Sequence, residues 1–111
     1  SISPKEVISK DYEVRDVIVN KDDIYVATID GQIKKLTPNL NEVASKKFKY
    51  AKIHALAFTD SLYAVESQGF LININEDFTK DVIYDFSFDN EERMIAIGNR
   101  IYFDSKYITL P

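Results

Sequence analysis

Apolar residues along this chain fall at every second position more often than at every third or fourth, the alternation of strands whose side chains point to opposite faces. Residues 14–19, 24–29, 33–36 and 43–50 read as four such strands. Between the first two, Lys21, Asp22 and Asp23 form a tight charged turn. Asp30-Gly31 is a hairpin signal, because Gly accepts positive φ without steric cost. Thr37-Pro38-Asn39 interrupts the third and fourth, since Pro has no amide hydrogen to give to a ladder. Lys46, Lys47 and Lys49 put charge on the fourth strand, as a protected outer edge requires. The same grammar returns in strands 53–58, 62–66, 70–74 and 82–88, and again in 93–97, 100–103 and 106–110. No window carries a helical period, and Val, Ile, Tyr and Phe outnumber the good helix formers. The chain reads as all-β.

The strands belong to a repeat. The stretch IYVATIDGQIKKL at 24–36 comes back as LYAVESQGFLINI at 62–74, with Tyr25 recurring as Tyr63, Gly31 as Gly69, Leu40 as Phe78 and Phe48 as Phe86, each 38 residues on. A shorter third copy at 94–103 matches 55–64 with a shift of 39. A unit of this length with four short antiparallel strands has the size of one β-propeller blade. In the pattern carried by Ile24, Tyr25, Val26, Ala27, Thr28, Asp30, Gly31, Ile33 and Leu36, the chain resembles the β-propeller superfamily of the WD40-like and quinoprotein-like type. That resemblance implies four-stranded antiparallel blades at 14–51 and 52–89, a partial blade at 90–111, and a segment 1–13, around Val7 and Ile8, that supplies the outer strand of a preceding blade. Propellers close with about 4 to 8 blades. Roughly three blades per chain therefore need a longer parent chain, or a second copy that completes a six-bladed ring by exchanging terminal strands.

Composition narrows the function classes. The 111 residues allow one domain, with 45% apolar residues to build a core of modest size. A formal charge of -4 argues against a general affinity for nucleic acid or an anionic membrane. There is no cysteine, so a disulfide framework, a thiolate zinc site and a Cys nucleophile are excluded. No apolar run approaches the roughly 20 residues of a membrane-spanning helix. The first ten residues lack the apolar block of a signal peptide, and the absence of an initial Met fits a mature, truncated or recombinant chain. The style of the repeat resembles bacterial propellers, which implies a bacterial cytoplasm or periplasm.

The sharpest chemical feature is a column of basic residues. Arg15, His54 and Arg93 are separated by 39 and 39, at the head of the first strand of each unit. In a propeller the first strands line the central channel, so this column implies a basic ring at one mouth, suited to a carboxylate or phosphate. The alternative is that each cation pairs with a neighbour such as Asp16 or Glu92. His54 is the only histidine, and its spacing offers neither a nucleophile with an orienting carboxylate nor other ligands for zinc. The turn residues Asp22, Asp23, Asp60 and Asn99 read as polar turn formers rather than a calcium site. Tyr25, Tyr63 and Tyr102 form an aromatic column that packs between blades. Two further columns, Val17 with Leu56 and Ile95, and Val19 with Phe58 and Ile97, read as core. Lys49, Tyr50 and Lys52 form a basic, aromatic patch for a protein partner. With no catalytic constellation, the expectation is a non-enzymatic module for protein binding, with no cofactor and no metal. A small-anion or enzymatic propeller using the basic ring is the alternative, and the resemblance to accessory propellers of periplasmic respiratory enzymes such as nitrate reductase supplies a third.

Overall fold

The computed structural model describes residues 3–48, 52–86, 93–103 and 105–111. Eleven strands occur among them: β1 (Val14–Asn20), β2 (Asp23–Thr28), β3 (Gln32–Leu36), β4 (Glu42–Lys47), β5 (Ile53–Phe58), β6 (Leu62–Glu66), β7 (Phe70–Ile74), β8 (Lys80–Asp85), β9 (Ile95–Ile97), β10 (Arg100–Tyr102) and β11 (Tyr107–Thr109). They form three antiparallel meanders. The first sheet is β1-β2-β3-β4, the second β5-β6-β7-β8, and the third β9-β10-β11. β1 lies beside β5, and β5 beside β9, so the first strands of successive sheets are neighbours. The arrangement is propeller-like, and the three sheets do not close a ring.

The repeat extends to individual turns. Gly31 and Gly69 adopt φ of 86° and 87°, a region where a Cβ would be strained. Each donates its amide to the carbonyl three residues back, Thr28 or Glu66. Each carbonyl in turn accepts the amide of Phe48 or Phe86 at the end of the outer strand. After β3 and β7 the chain makes the same loop, with Leu40 and Phe78 both left-handed and donating to the carbonyls of Thr37 and Asn75. Such φ values are unusual for bulky residues. At the second of these sites, burial of the Phe78 ring holds the conformation in place.

Two apolar layers join the sheets. Between the first and second lie Tyr25, Ala27, Ile33, Leu56, Leu62 and Ile72 with their neighbours. Between the second and third lie Ala57, Tyr63, Leu71, Met94, Ile101 and Phe103 among others. Ala57 and Ala64, on opposite faces of the second sheet, are both fully buried, so small side chains stand where strands approach closely. β6 is buried at all five positions because both of its faces are covered. Each large aliphatic side chain buried in these layers contributes roughly 1.5–3 kcal/mol.

The third sheet departs from the expected alignment. In the first sheet Val19 pairs with Ile24 and Ile18 with Tyr25; in the second Phe58 pairs with Leu62 and Ala57 with Tyr63. In the third, Ala96 pairs with Ile101 and Ile95 with Tyr102. Taking the second strands as aligned, Ala96 therefore occupies the place of Val19 and Phe58, and Ile95 that of Ile18 and Ala57. The cause is the connection. Gly98-Asn99 is a two-residue turn with Gly98 at φ 60°, matching Lys21-Asp22 with Lys21 at φ 55°. The second sheet instead uses three residues, Thr59, Asp60 and Ser61. A one-residue slip exchanges the two faces of a strand. Met94 and Ala96 thus pack inward against the second sheet, while Ile95 and Ile97 are 65% and 63% exposed. The core columns containing Ile95 and Ile97 are corrected accordingly, and the tyrosine column 25, 63 and 102 stays in register.

Val17 and Val19, also expected in the core, are 49% and 60% exposed. They lie on the face of the first sheet directed away from the second. Residues 3–13, expected as an outer strand of a preceding blade, carry no strand, and Val7 is 77% exposed. The segment is tied at its end, where Ile29 donates its amide to the Glu13 carbonyl.

Candidate functional site

Arg15 and His54 stand at matching irregularities. In β1 the pairing with β2 shifts between Val14 and Asp16, and in β5 the pairing with β6 shifts between Ile53 and Ala55. Each is therefore the extra residue of a β-bulge, a device that re-aims a side chain out of the ladder. The two bulges bring the side chains together: Arg15 donates from its guanidinium to His54 Nδ1 at 3.2 Å. A guanidinium has no acceptor, so the imidazole nitrogen takes that role and the ring is neutral in this geometry.

Asp16 does not pair with Arg15, its sequence neighbour. Its Oδ1 accepts the Val17 amide at 2.9 Å, and its Oδ2 accepts the Leu56 amide of β5 at 2.7 Å. This carboxylate bridges the first strands of two sheets through their backbone and holds the Arg15–His54 pair in place. The remaining N–H groups of an exposed guanidinium suit the oxygens of a carboxylate or phosphate.

Arg93 is exposed and precedes β9. Counting back from the register of the third sheet, Arg93 matches Asp16 rather than Arg15, and the third position of the column is residue 92, outside the described residues. No hydrogen bond joins Arg93 to Arg15 or His54 among the described residues. The structure thus brings together two members of the expected ring. Of the patch expected for a partner, Lys49 and Tyr50 lie outside the described residues. Lys52 is exposed, and its backbone exchanges hydrogen bonds with Ser67, taking the amide at 2.8 Å on its carbonyl.

At the opposite end of the inner strands, the sheets part into clefts that the sequence did not reveal. One of about 450 Å³ lies between the first and second sheets and includes Lys21, Asp23, Tyr25, Phe58, Asp60 and Glu76 in its walls. A smaller one of about 180 Å³ lies between the second and third, with Tyr63, Asp60 and Asn99. Each contains the repeated tyrosine. Tyr25 stacks on Phe58 with ring centres 5.8 Å apart. Burial, then the charges of Asp23 and Glu76, push its phenol above the usual range. Burial and Asp60 do the same to Tyr63, against a smaller opposing effect of a hydrogen bond with Thr59. Both phenols are therefore proton-bearing groups at neutral pH. The periodicity showed the column, but gave no sign that the turns would leave space above it.

Glu66 is a second feature without a sequence signal. Its side chain is fully buried and pairs with Lys80 at 3.0 Å, while its second oxygen has no hydrogen-bond partner in the structure. Lys80 also lies over the Phe48 ring, 5.6 Å from its centre. Among the described residues no group of three or more His, Cys, Asp or Glu side chains could hold a metal ion. No helix among them is long and apolar enough to cross a membrane.

No protein-family model matches the chain. Two curated relatives do. The chain is 27% identical over 120 residues to plasminogen-binding protein PgbB of Helicobacter pylori strain J99, and 26% identical over 119 residues to the protein of the same name from strain 26695. Each match covers 97% of this chain and 22% of the relative. The chain thus spans about a fifth of the length of these relatives, and its relationships are bacterial.

Proposed function

We propose that this chain is a protein-binding module of a bacterial protein, with plasminogen as the first partner to test. The observation that carries the reading is the match along nearly the whole chain to two proteins named for plasminogen binding. The architecture agrees with it: short rigid strands hold exposed turns and a charged outer edge, the elements through which a sheet scaffold meets another protein. Lys49, Tyr50 and Lys52 are the contact we assign first, since a basic run beside an aromatic offers both charge and apolar area to a partner. The test is binding of the 111-residue chain to immobilised plasminogen by biolayer interferometry. Saturable binding, weakened at least tenfold when Lys49, Tyr50 and Lys52 are all replaced by Ala, is the expected result. No binding by the folded wild-type chain would overturn the reading.

A second reading is favoured by the Arg15–His54 contact. An exposed guanidinium held beside an imidazole by two bulges is a site for a small carboxylate or phosphate. Chemical-shift changes confined to Arg15, His54 and their neighbours on titration with phosphate or citrate support it, and loss of those changes in Arg15→Ala assigns them to this pair.

A further inference from the structure

The cleft between the first and second sheets carries opposite charges on its two walls. Its volume of about 450 Å³ falls in the range of about 300–1,000 Å³ that holds small ligands. On the side of the first sheet stand Lys21, in the turn between β1 and β2, and Lys35, in β3. On the side of the second stand Asp60, in the turn between β5 and β6, and Glu76, in the loop after β7. Lys35 is matched on its own wall by Asp23, with Nζ 3.7 Å from Oδ2. Lys21, Asp60 and Glu76 enter no ion pair among the described residues. One wall thus offers an unmatched ammonium, and the other two unmatched carboxylates.

Beneath these charges the cleft is aromatic and aliphatic. Tyr25 and Phe58 stack across the junction of the two sheets with ring centres 5.8 Å apart, and Leu62 and Ile74 lie buried beside them. Asp23 and Glu76 add to the effect of burial in raising the Tyr25 phenol, which sets those carboxylates in the same space as the ring pair. The neighbouring cleft, between the second and third sheets, repeats the tyrosine without the facing charges. Lys35 stands opposite Tyr25 in the ladder, whereas Asn73 stands opposite Tyr63. The Asn73 amide is occupied by Ser61 Oγ at 2.7 Å and the Leu62 carbonyl at 3.1 Å. The far wall of that cleft has Gly98 and Asn99 in the turn where the first cleft has Asp60. The ionic walls therefore belong to the first cleft alone and are no by-product of the repeat.

We propose that this cleft binds a small zwitterion, an amino acid with an apolar side chain. Asp60 and Glu76 hold its ammonium, Lys21 holds its carboxylate, and its side chain lies against Phe58. A ligand with a single charge satisfies one wall and takes water from the other without replacing it, which costs free energy. A zwitterion gives each wall its counter-charge. The site lies at the opposite end of the inner strands from the Arg15–His54 pair and is independent of the protein partner proposed above.

The experiment is titration of the 111-residue chain with L-phenylalanine, followed by amide chemical shifts. Phenethylamine, which lacks the carboxylate, and 3-phenylpropionate, which lacks the ammonium, are titrated beside it. Saturable shifts centred on Lys21, Phe58, Asp60 and Glu76 are expected with L-phenylalanine, and roughly tenfold or weaker binding of either analogue. Glu76→Gln is expected to weaken L-phenylalanine roughly tenfold without weakening 3-phenylpropionate, and Lys21→Gln to weaken it similarly without weakening phenethylamine. Both side chains are exposed, and unchanged shifts away from the cleft establish that each variant is folded. The absence of saturable shifts up to about 10 mM L-phenylalanine overturns the proposal. So does an analogue that binds wild type as tightly as L-phenylalanine, which would mean that one wall is not read. Shifts centred on Arg15 and His54, or folded variants with unchanged affinity for L-phenylalanine, overturn it as well.

Discussion

Glu66 stands where the first repeat has Thr28, and the two positions solve the same problem differently. Thr28 closes its turn locally: its hydroxyl bonds to Asp30, and it accepts the Gln32 amide at 3.1 Å. Glu66 has a longer side chain, buried, and reaches across the sheet to Lys80. Removing the cation leaves a carboxylate in an apolar layer, whereas replacing the carboxylate with an apolar group of similar size removes the need for a partner. Lys80→Met is therefore expected to lower the unfolding free energy by about 1–3 kcal/mol, while Glu66→Leu stays within about 1 kcal/mol of wild type. Urea titrations of both decide the order. The repeat made the Thr28–Glu66 equivalence legible, but alternation placed a glutamate there with nothing to say that two sheets would bury it. Asp30 supplies a pH signature. Its hydrogen bonds with Thr28 and then Gln32 hold the carboxyl below its usual range. A folded-state value below the unfolded one stabilises the fold above the ordinary aspartate range, and the contribution is lost as pH falls through the folded value. Asp30→Asn is expected to flatten that acid limb of the urea-midpoint profile relative to wild type.

Among the elements, the hairpin after the first strand of each sheet decides which face of the strand is buried. The third sheet's two-residue connection moved Ile95 outward and Met94 inward, and it took Arg93 out of the column that aligned Arg15 with His54. Sequence alignment followed residue similarity there, where arginine met arginine; a turn's length is set by its backbone geometry, which similarity does not record. Lys21 and Gly98 hold the same left-handed position with different side chains. A Cβ at Gly98 meets no atom within 4 Å, so Gly98→Ala is expected to cost only the backbone strain, about 1 kcal/mol. Lys21→Gly relieves that strain and is expected to gain up to about 1 kcal/mol. Opposite changes in the urea midpoint check the pair. If both substitutions destabilise by similar amounts, the turns are not equivalent.

For the whole molecule, burial is graded from the middle sheet outward. β6 is covered on both sides, while β4 and β8 are exposed along nearly all their length. Native-state hydrogen exchange is expected to find the slowest amides in β6 and markedly faster exchange in β4, β8 and the three short strands of the third sheet. Equal protection across the three sheets would mean that the outer faces are covered in solution. By itself the sequence determined the all-β class, the three units and most strand positions, because period-two alternation and turn chemistry are local properties that recur with each copy. It also marked Arg15 and His54, whose shared place in the repeat became a shared bulge and a hydrogen bond. Only the tertiary structure decided which apolar face meets another sheet, which carboxylate is buried, where the clefts open, and that Asp16 bridges β1 and β5. Those depend on how sheets stack and on the exact length of each connection, and a one-residue difference there leaves the hydrophobic pattern nearly unchanged while exchanging the inside and outside of a strand.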